Sequence, residues 1–111
     1  MKKDLGKTSF GMDANLAAAL SYIFFWVSGL IIYILEKENK FVRFHALQSV
    51  ITFASLFVLY ILFSFIPLLG WILLIPLGIF TFILWLILII KAANGQNFKL
   101  PIVGDIAEKN S

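Results

Sequence analysis

ALQSVITFASLFVLYILFSFIPLLGWILLIPLGIFTFILWLILII, running from Ala46 to Ile90, is 45 residues without one formally charged side chain. As continuous helix it would extend about 68 Å at 1.5 Å per residue, roughly twice the 30 Å thickness of bilayer hydrocarbon. Two spans must share it. Pro67-Leu68-Leu69-Gly70 supplies the division, because proline disfavours helix for the residue before it and glycine permits a backbone reversal. The stretch therefore predicts a helical hairpin, with spans at 41–66 and 69–91. Trp71 lies just past the turn, where an indole suits the headgroup boundary, and Pro76 is placed to kink the second arm.

Upstream, ANLAAALSYIFFWVSGLIIYIL from Ala14 to Leu35 is 22 uncharged residues. One helix of that length reaches about 33 Å, enough for a further span at 14–35. The run is longer than a signal-peptide core, and its small residues precede the apolar part rather than follow it, so cleavage is not expected. Asp13 is positioned to cap the first turn. Met1 to Asp13 reads as a polar, mobile tail. The segment after Asn94-Gly95, residues 95–111, is too short in apolar content to span and is expected to lie on the membrane face or dock under the bundle. The expected fold is all-α, an integral membrane three-transmembrane-helix bundle over residues 14–94 with a short interfacial C-terminal segment.

Composition agrees, since 61% of the 111 residues are hydrophobic and only 14% are charged. A mean hydropathy of +0.98 leaves too little polar surface to cover a water-soluble globule. The net charge of +3 comes from scattered Lys and Arg without a stripe, which argues against a nucleic-acid partner. With no cysteine, disulfides and thiolate chemistry are excluded. In a three-span layout the charged loop Glu36–Lys40 and the C-terminal tail share one side, opposite the N-terminal tail and the hairpin turn. Six cations against three then place the loop and C-terminus in the cytoplasm of a multi-pass cell-membrane protein.

His45, Gln48, Ser49, Thr52 and Ser55 fall within about a third of the circumference of the second span. Such a polar seam belongs between helices or in a small hydrated cleft. Glu36, Lys37, Glu38, Asn39, Lys40, Arg43 and Lys91 gather at the same depth as His45, making a candidate interaction cluster with Gln48 and Ser49. Arg43 is expected to reach headgroups or pair with Glu36 or Glu38. A Ser49–His45 nucleophilic dyad is conceivable by spacing but lacks an acidic orienter. One histidine and no thiol make neither a metal site nor a cofactor box. Ala14, Ala17, Ala18, Ser21, Ser28 and Gly29 form a small-residue stripe for close helix packing.

EKENKFVRFHALQS at Glu36–Ser49, the Pro67–Trp71 turn and KLPIVGDIAEK at Lys99–Lys109 together resemble the Tic-twenty-like family, small membrane proteins of bacteria and archaea similar to a chloroplast inner-envelope import component. The resemblance implies an all-helical membrane fold and marks Glu36 to Asn39, Arg43, His45 and Gln48 as a signature, with no catalytic residue. The expected function is non-enzymatic, an assembly, scaffold or translocon-like subunit that meets itself or another membrane protein through the charged cluster. The alternatives are binding of an anionic lipid or small ligand by Arg43, Lys40, Lys91, His45 and Gln48, and an intramembrane hydrolase using His45 and Ser49.

Overall fold

The computed structural model describes residues 6–111; the remainder of the expected tail, with Lys2 and Lys3, lies outside the described residues. Five helices follow in order: α1 (Ala14–Ile23), α2 (Phe25–Leu35), α3 (Lys40–Ser64), α4 (Leu69–Ala93) and α5 (Val103–Asn110). Among the described residues only α3 and α4 form helices long and apolar enough to cross a membrane.

The expected span at 14–35 is corrected here, because it is two helices folded back on each other. Phe25 takes φ 58°, a left-handed conformation that a bulky residue rarely adopts, and Phe24 before it has φ −105° and ψ 38°. The chain reverses there. Ala14 and Ala17 of α1 pack with Ile32 of α2 and with Val42 and Ala46 of α3. Ser9 and Glu36, which a straight helix between them would hold on opposite membrane faces, are hydrogen bonded at 2.7 Å. The small-residue stripe explains how this closes, since alanines on α1 and Gly29 on α2 let backbones approach. A Cβ on Gly29 would stand 2.8 Å from the Ala46 carbonyl oxygen and 2.7 Å from Ser49 Oγ.

The bend frees backbone groups that a helix would have paired, and side chains take them up. Ser49 Oγ donates toward the carbonyls of Ser21 and Phe25, both at 2.7 Å. Ser28 Oγ accepts from the Phe24 N–H at 3.0 Å and donates to the Ser21 carbonyl at 3.0 Å. Trp85 Nε1 of α4 donates to the Tyr22 carbonyl at 2.7 Å. The bend is thus braced from α2, α3 and α4.

Helix α1 descends between α3 and α4. Its Asn15 amide reaches the Ala93 carbonyl at the end of α4, and its Tyr22 packs with Phe53 and Leu88. The buried residues of α3 stop at Leu56, and those of α4 are Leu88, Ala92 and Gly70 at the turn. The core therefore occupies one half of the molecule's length. In the other half α3 and α4 run alone as the expected hairpin, joined by a Tyr60–Thr81 hydroxyl contact of 3.2 Å.

Two γ-turns open helices. Leu68 and Ile102, each after a proline, have φ 63° and 67°, and the next N–H returns to the proline carbonyl at 2.7 Å in both cases. The shared pattern, Pro67-Leu68-Leu69-Gly70 and Pro101-Ile102-Val103-Gly104, is a short repeat that the sequence reading missed. Its glycine is fixed sterically, since a Cβ on Gly104 would meet the Lys99 Cβ at 2.5 Å.

Candidate functional site

All of the seam on α3 except Thr52 is hydrogen bonded to other groups of this chain. His45 is fully buried, with Nδ1 2.7 Å from Tyr22 Oη and Nε2 2.9 Å from the Gln96 carbonyl. A carbonyl only accepts, so in the neutral ring Nε2 carries the proton and Nδ1 accepts from the tyrosine. Gln48 completes the chain. Its Nε2 donates to Tyr22 Oη at 3.1 Å and to the Phe98 carbonyl at 2.9 Å, while its Oε1 accepts from the Leu100 N–H at 2.9 Å. Such a closed run of bonds polarises its members and fixes one geometry. It docks the segment after Asn94 under the helices, and α5 packs on α3.

Ser49 belongs to the bend, and Ser55 bonds its own helix at the Ile51 carbonyl. Thr52 is buried and its hydroxyl makes no hydrogen bond in the structure. The proposed dyad does not form, because His45 turns its two nitrogens to Tyr22 and Gln96 while Ser49 donates to backbone carbonyls.

A second cluster surrounds Glu36. Its side chain is completely buried in the loop after α2 and accepts four hydrogen bonds: Oε1 from the Ser9 N–H and hydroxyl at 2.7 and 3.0 Å, Oε2 from the N–H groups of Glu38 and Asn39 at 2.9 and 2.8 Å. Burial by itself would raise the carboxyl pKa, but the donors from Asn39, Ser9 and Glu38 outweigh it and hold the value below the ordinary range. Asn39 caps α3 by accepting from the Val42 N–H at 3.2 Å.

Arg43 is held inside this end of the protein. Its guanidinium lies 4.2 Å from the centre of the Tyr33 ring and donates to the carbonyls of Glu36 at 2.6 Å and Tyr33 at 3.3 Å, and Nε reaches the Ser111 carbonyl at 3.4 Å. It meets Glu36 through the backbone, where the sequence pointed to the carboxylate or to headgroups. Lys91 stands apart, 5.8 Å from the Phe98 ring. Lys37, Glu38 and Lys40 are exposed.

The ten candidate residues thus separate into a loop cluster (Glu36, Asn39, Arg43), an interior cluster (His45, Gln48), the bend support (Ser49) and outward charges (Lys37, Glu38, Lys40, with Lys91 beside the tail). Sequence reasoning missed Tyr22, Ser9, Gln96 and the indole of Trp85 as partners. A tyrosine in the middle of an apolar run was the one available signal, since a buried hydroxyl needs a partner. Among the described residues no three His, Asp or Glu side chains gather to hold a metal ion.

A family model described as the magnetosome magnetite crystal formation protein family matches residues 7–107. A UPF0132 membrane protein of Methanocaldococcus jannaschii is 51% identical over 107 residues, covering 96% of this chain and 96% of its own. Another from the same organism is 48% identical over 101 residues, or 91% of this chain and 72% of its own. One from Archaeoglobus fulgidus is 52% identical over 99 residues, 88% of this chain and 95% of its own. No solved structure matches. These findings overturn the Tic-twenty-like resemblance. Apolar helices joined by charged loops and proline-glycine turns are common to many small membrane proteins and do not discriminate among families. The relatives and the two long apolar helices together place this chain in a membrane.

Proposed function

Because the chain belongs to the magnetosome magnetite crystal formation protein family and stands among UPF0132 membrane proteins, we propose that it is a non-enzymatic assembly module of the membrane. In this reading α3 and α4 cross the bilayer, while α1 and α2 enter it and return on the side they came from. Each of these two is about 15 Å long, half the hydrocarbon thickness, and irregular backbone at that depth is tolerated where its polar groups are paired, as Ser28, Ser49 and Trp85 pair those at the bend.

One observation carries the reading: the polar atoms of His45, Gln48 and Ser49 are committed to this chain's own groups, which leaves Lys37, Glu38 and Lys40 as the outward chemistry of a loop pinned by Glu36. A lipid headgroup or substrate at His45 and Gln48 would have to displace those bonds. Two spans and a half-depth hairpin enclose no aqueous path, so a translocon role requires assembly.

The re-entrant hairpin also changes the charge argument. Lys7 bonds Asn39 through its carbonyl, so the described N-terminal segment stands at the same end as the charged loop and the C-terminal segment. The described cations Lys7, Lys37, Lys40, Arg43, Lys91, Lys99 and Lys109 share that end, which the positive-inside tendency assigns to the cytoplasm.

A photo-crosslinker at the exposed Glu38 in native membranes, with bleaching-step counts in supported bilayers, tests the module. Protein adducts that disappear when Lys37→Glu and Lys40→Glu are combined support it. Lipid adducts alone, with single-step bleaching at every density, overturn it in favour of headgroup binding.

A further inference from the structure

The protein is unequally thick along its length. At the charged end four helices lie side by side, α1, α2 and the adjoining halves of α3 and α4, and α5 packs on α3. At the bend, Phe25 packs on Phe53 of α3 and Trp85 of α4, and the neighbouring Trp26 packs on Phe57 of α3. Beyond the bend, among the described residues, only the α3–α4 hairpin continues, with Phe65, Leu68 and Ile72 exposed by 79%, 72% and 63%. Two lateral grooves open beneath the bend, of about 410 and 370 Å³. Tyr60 and Thr81 line both, and most of their surface is apolar, as suits acyl chains.

The two extra helices give the charged half about 160 Å² more cross-section than the other, taking each helix as a cylinder 10 Å across. A bilayer in which one half of the protein is wider than the other is least disturbed when the leaflet around the wide half is on the convex side. α5 adds to the wide end, a short amphipathic helix with Ile106 exposed by 44% and Ile102, just before its first turn, by 75%.

We propose that this protein is a membrane wedge that favours bilayers curved convex toward its charged end, a lipid-surface preference built from the half-depth α1–α2 hairpin. The inference rests on the re-entrant reading of that hairpin, and the experiment keeps the two separate. The chain has no cysteine, so single variants Phe10→Cys, Glu38→Cys and Phe65→Cys can be labelled with a membrane-impermeant maleimide in reconstituted vesicles.

The first measurement is topological. Phe10→Cys and Glu38→Cys label in parallel and Phe65→Cys labels in the complementary fraction; if Phe10→Cys instead follows Phe65→Cys, the hairpin spans and both readings fall. The second compares small sonicated with large extruded vesicles, at low protein density and high salt to remove charge bias. The ratio of charged-end-out to charged-end-in molecules should rise by about twofold or more in the small vesicles, a population shift that requires differential affinity for the two curvatures. A ratio independent of vesicle size, with the topology as described, overturns the wedge and leaves the assembly module standing.

Discussion

Replacing Glu36 by Gln should release the N-terminal segment from the loop. The carboxylate accepts four hydrogen bonds, two on each oxygen. A carboxamide keeps one acceptor and turns an NH₂ toward two donors on the other side. Bonds to charged groups contribute about 1.5–3 kcal/mol each, so losing two would cost about 3–6 kcal/mol if they were independent. They are not independent, and water can reach the Ser9 and Glu38 backbone once the loop loosens, so about 2–3 kcal/mol is expected. That corresponds to a ~30–150-fold loss of amide protection at Ser9, Glu38 and Asn39, read by hydrogen exchange in lipid nanodiscs. The pH dependence gives a second readout. Folding lowers the carboxyl pKa, so the ionised group stabilises the fold fully above the ordinary carboxylate value of about 4.3, and this contribution disappears as pH falls through the lowered one. Glu36→Gln should lack that acid transition. Wild-type protection and an unchanged acid profile in the variant would refute the argument that this carboxylate ties the two segments together.

Ser49→Ala should destabilise the bend by about 1–3 kcal/mol in a reversible denaturant titration, because the Phe25 carbonyl loses its short bond while the Ser21 carbonyl keeps Ser28; wild-type stability would show that the bend does not need α3. Gly29→Ala should cost about 1–3 kcal/mol in the same titration, since its methyl meets a backbone carbonyl that cannot rotate away, and a neutral result would contradict the close α2–α3 crossing. Gln48→Leu removes both bonds to the C-terminal segment together with the one to Tyr22, so exchange at Leu100 should quicken by about 10–100-fold with α3 itself still protected.

Hydropathy carried the hairpin of α3 and α4. Forty-five residues without a charge admit two passes and no other economical arrangement, and Pro67 with Gly70 marked the turn to within a few residues. The docking of the tail was one of two outcomes that its short apolar group allowed. The interior location of His45, Gln48 and Ser49 was legible for a related reason, since polar groups at such depth need partners, whereas Ser55 of the same seam is exposed. Which partners they have was not legible, because Tyr22, Gln96 and Leu100 lie 23 to 52 residues away in sequence from His45 and Gln48.

Length, composition and charge placement by themselves determined that this protein is helical, belongs in a membrane and turns at Pro67. Each of those properties is local, or additive over a window. The reversal at Phe24-Phe25 was decided by tertiary structure alone. Neither residue is glycine or proline, and the 22 uncharged residues around them satisfy every length criterion for a single span. Ser49 and Trp85, supplied by helices that come later in the chain, join Ser28 in pairing the backbone groups at the break. On the re-entrant reading proposed above, water does not reach that depth, so the break depends on donors that only the folded chain supplies.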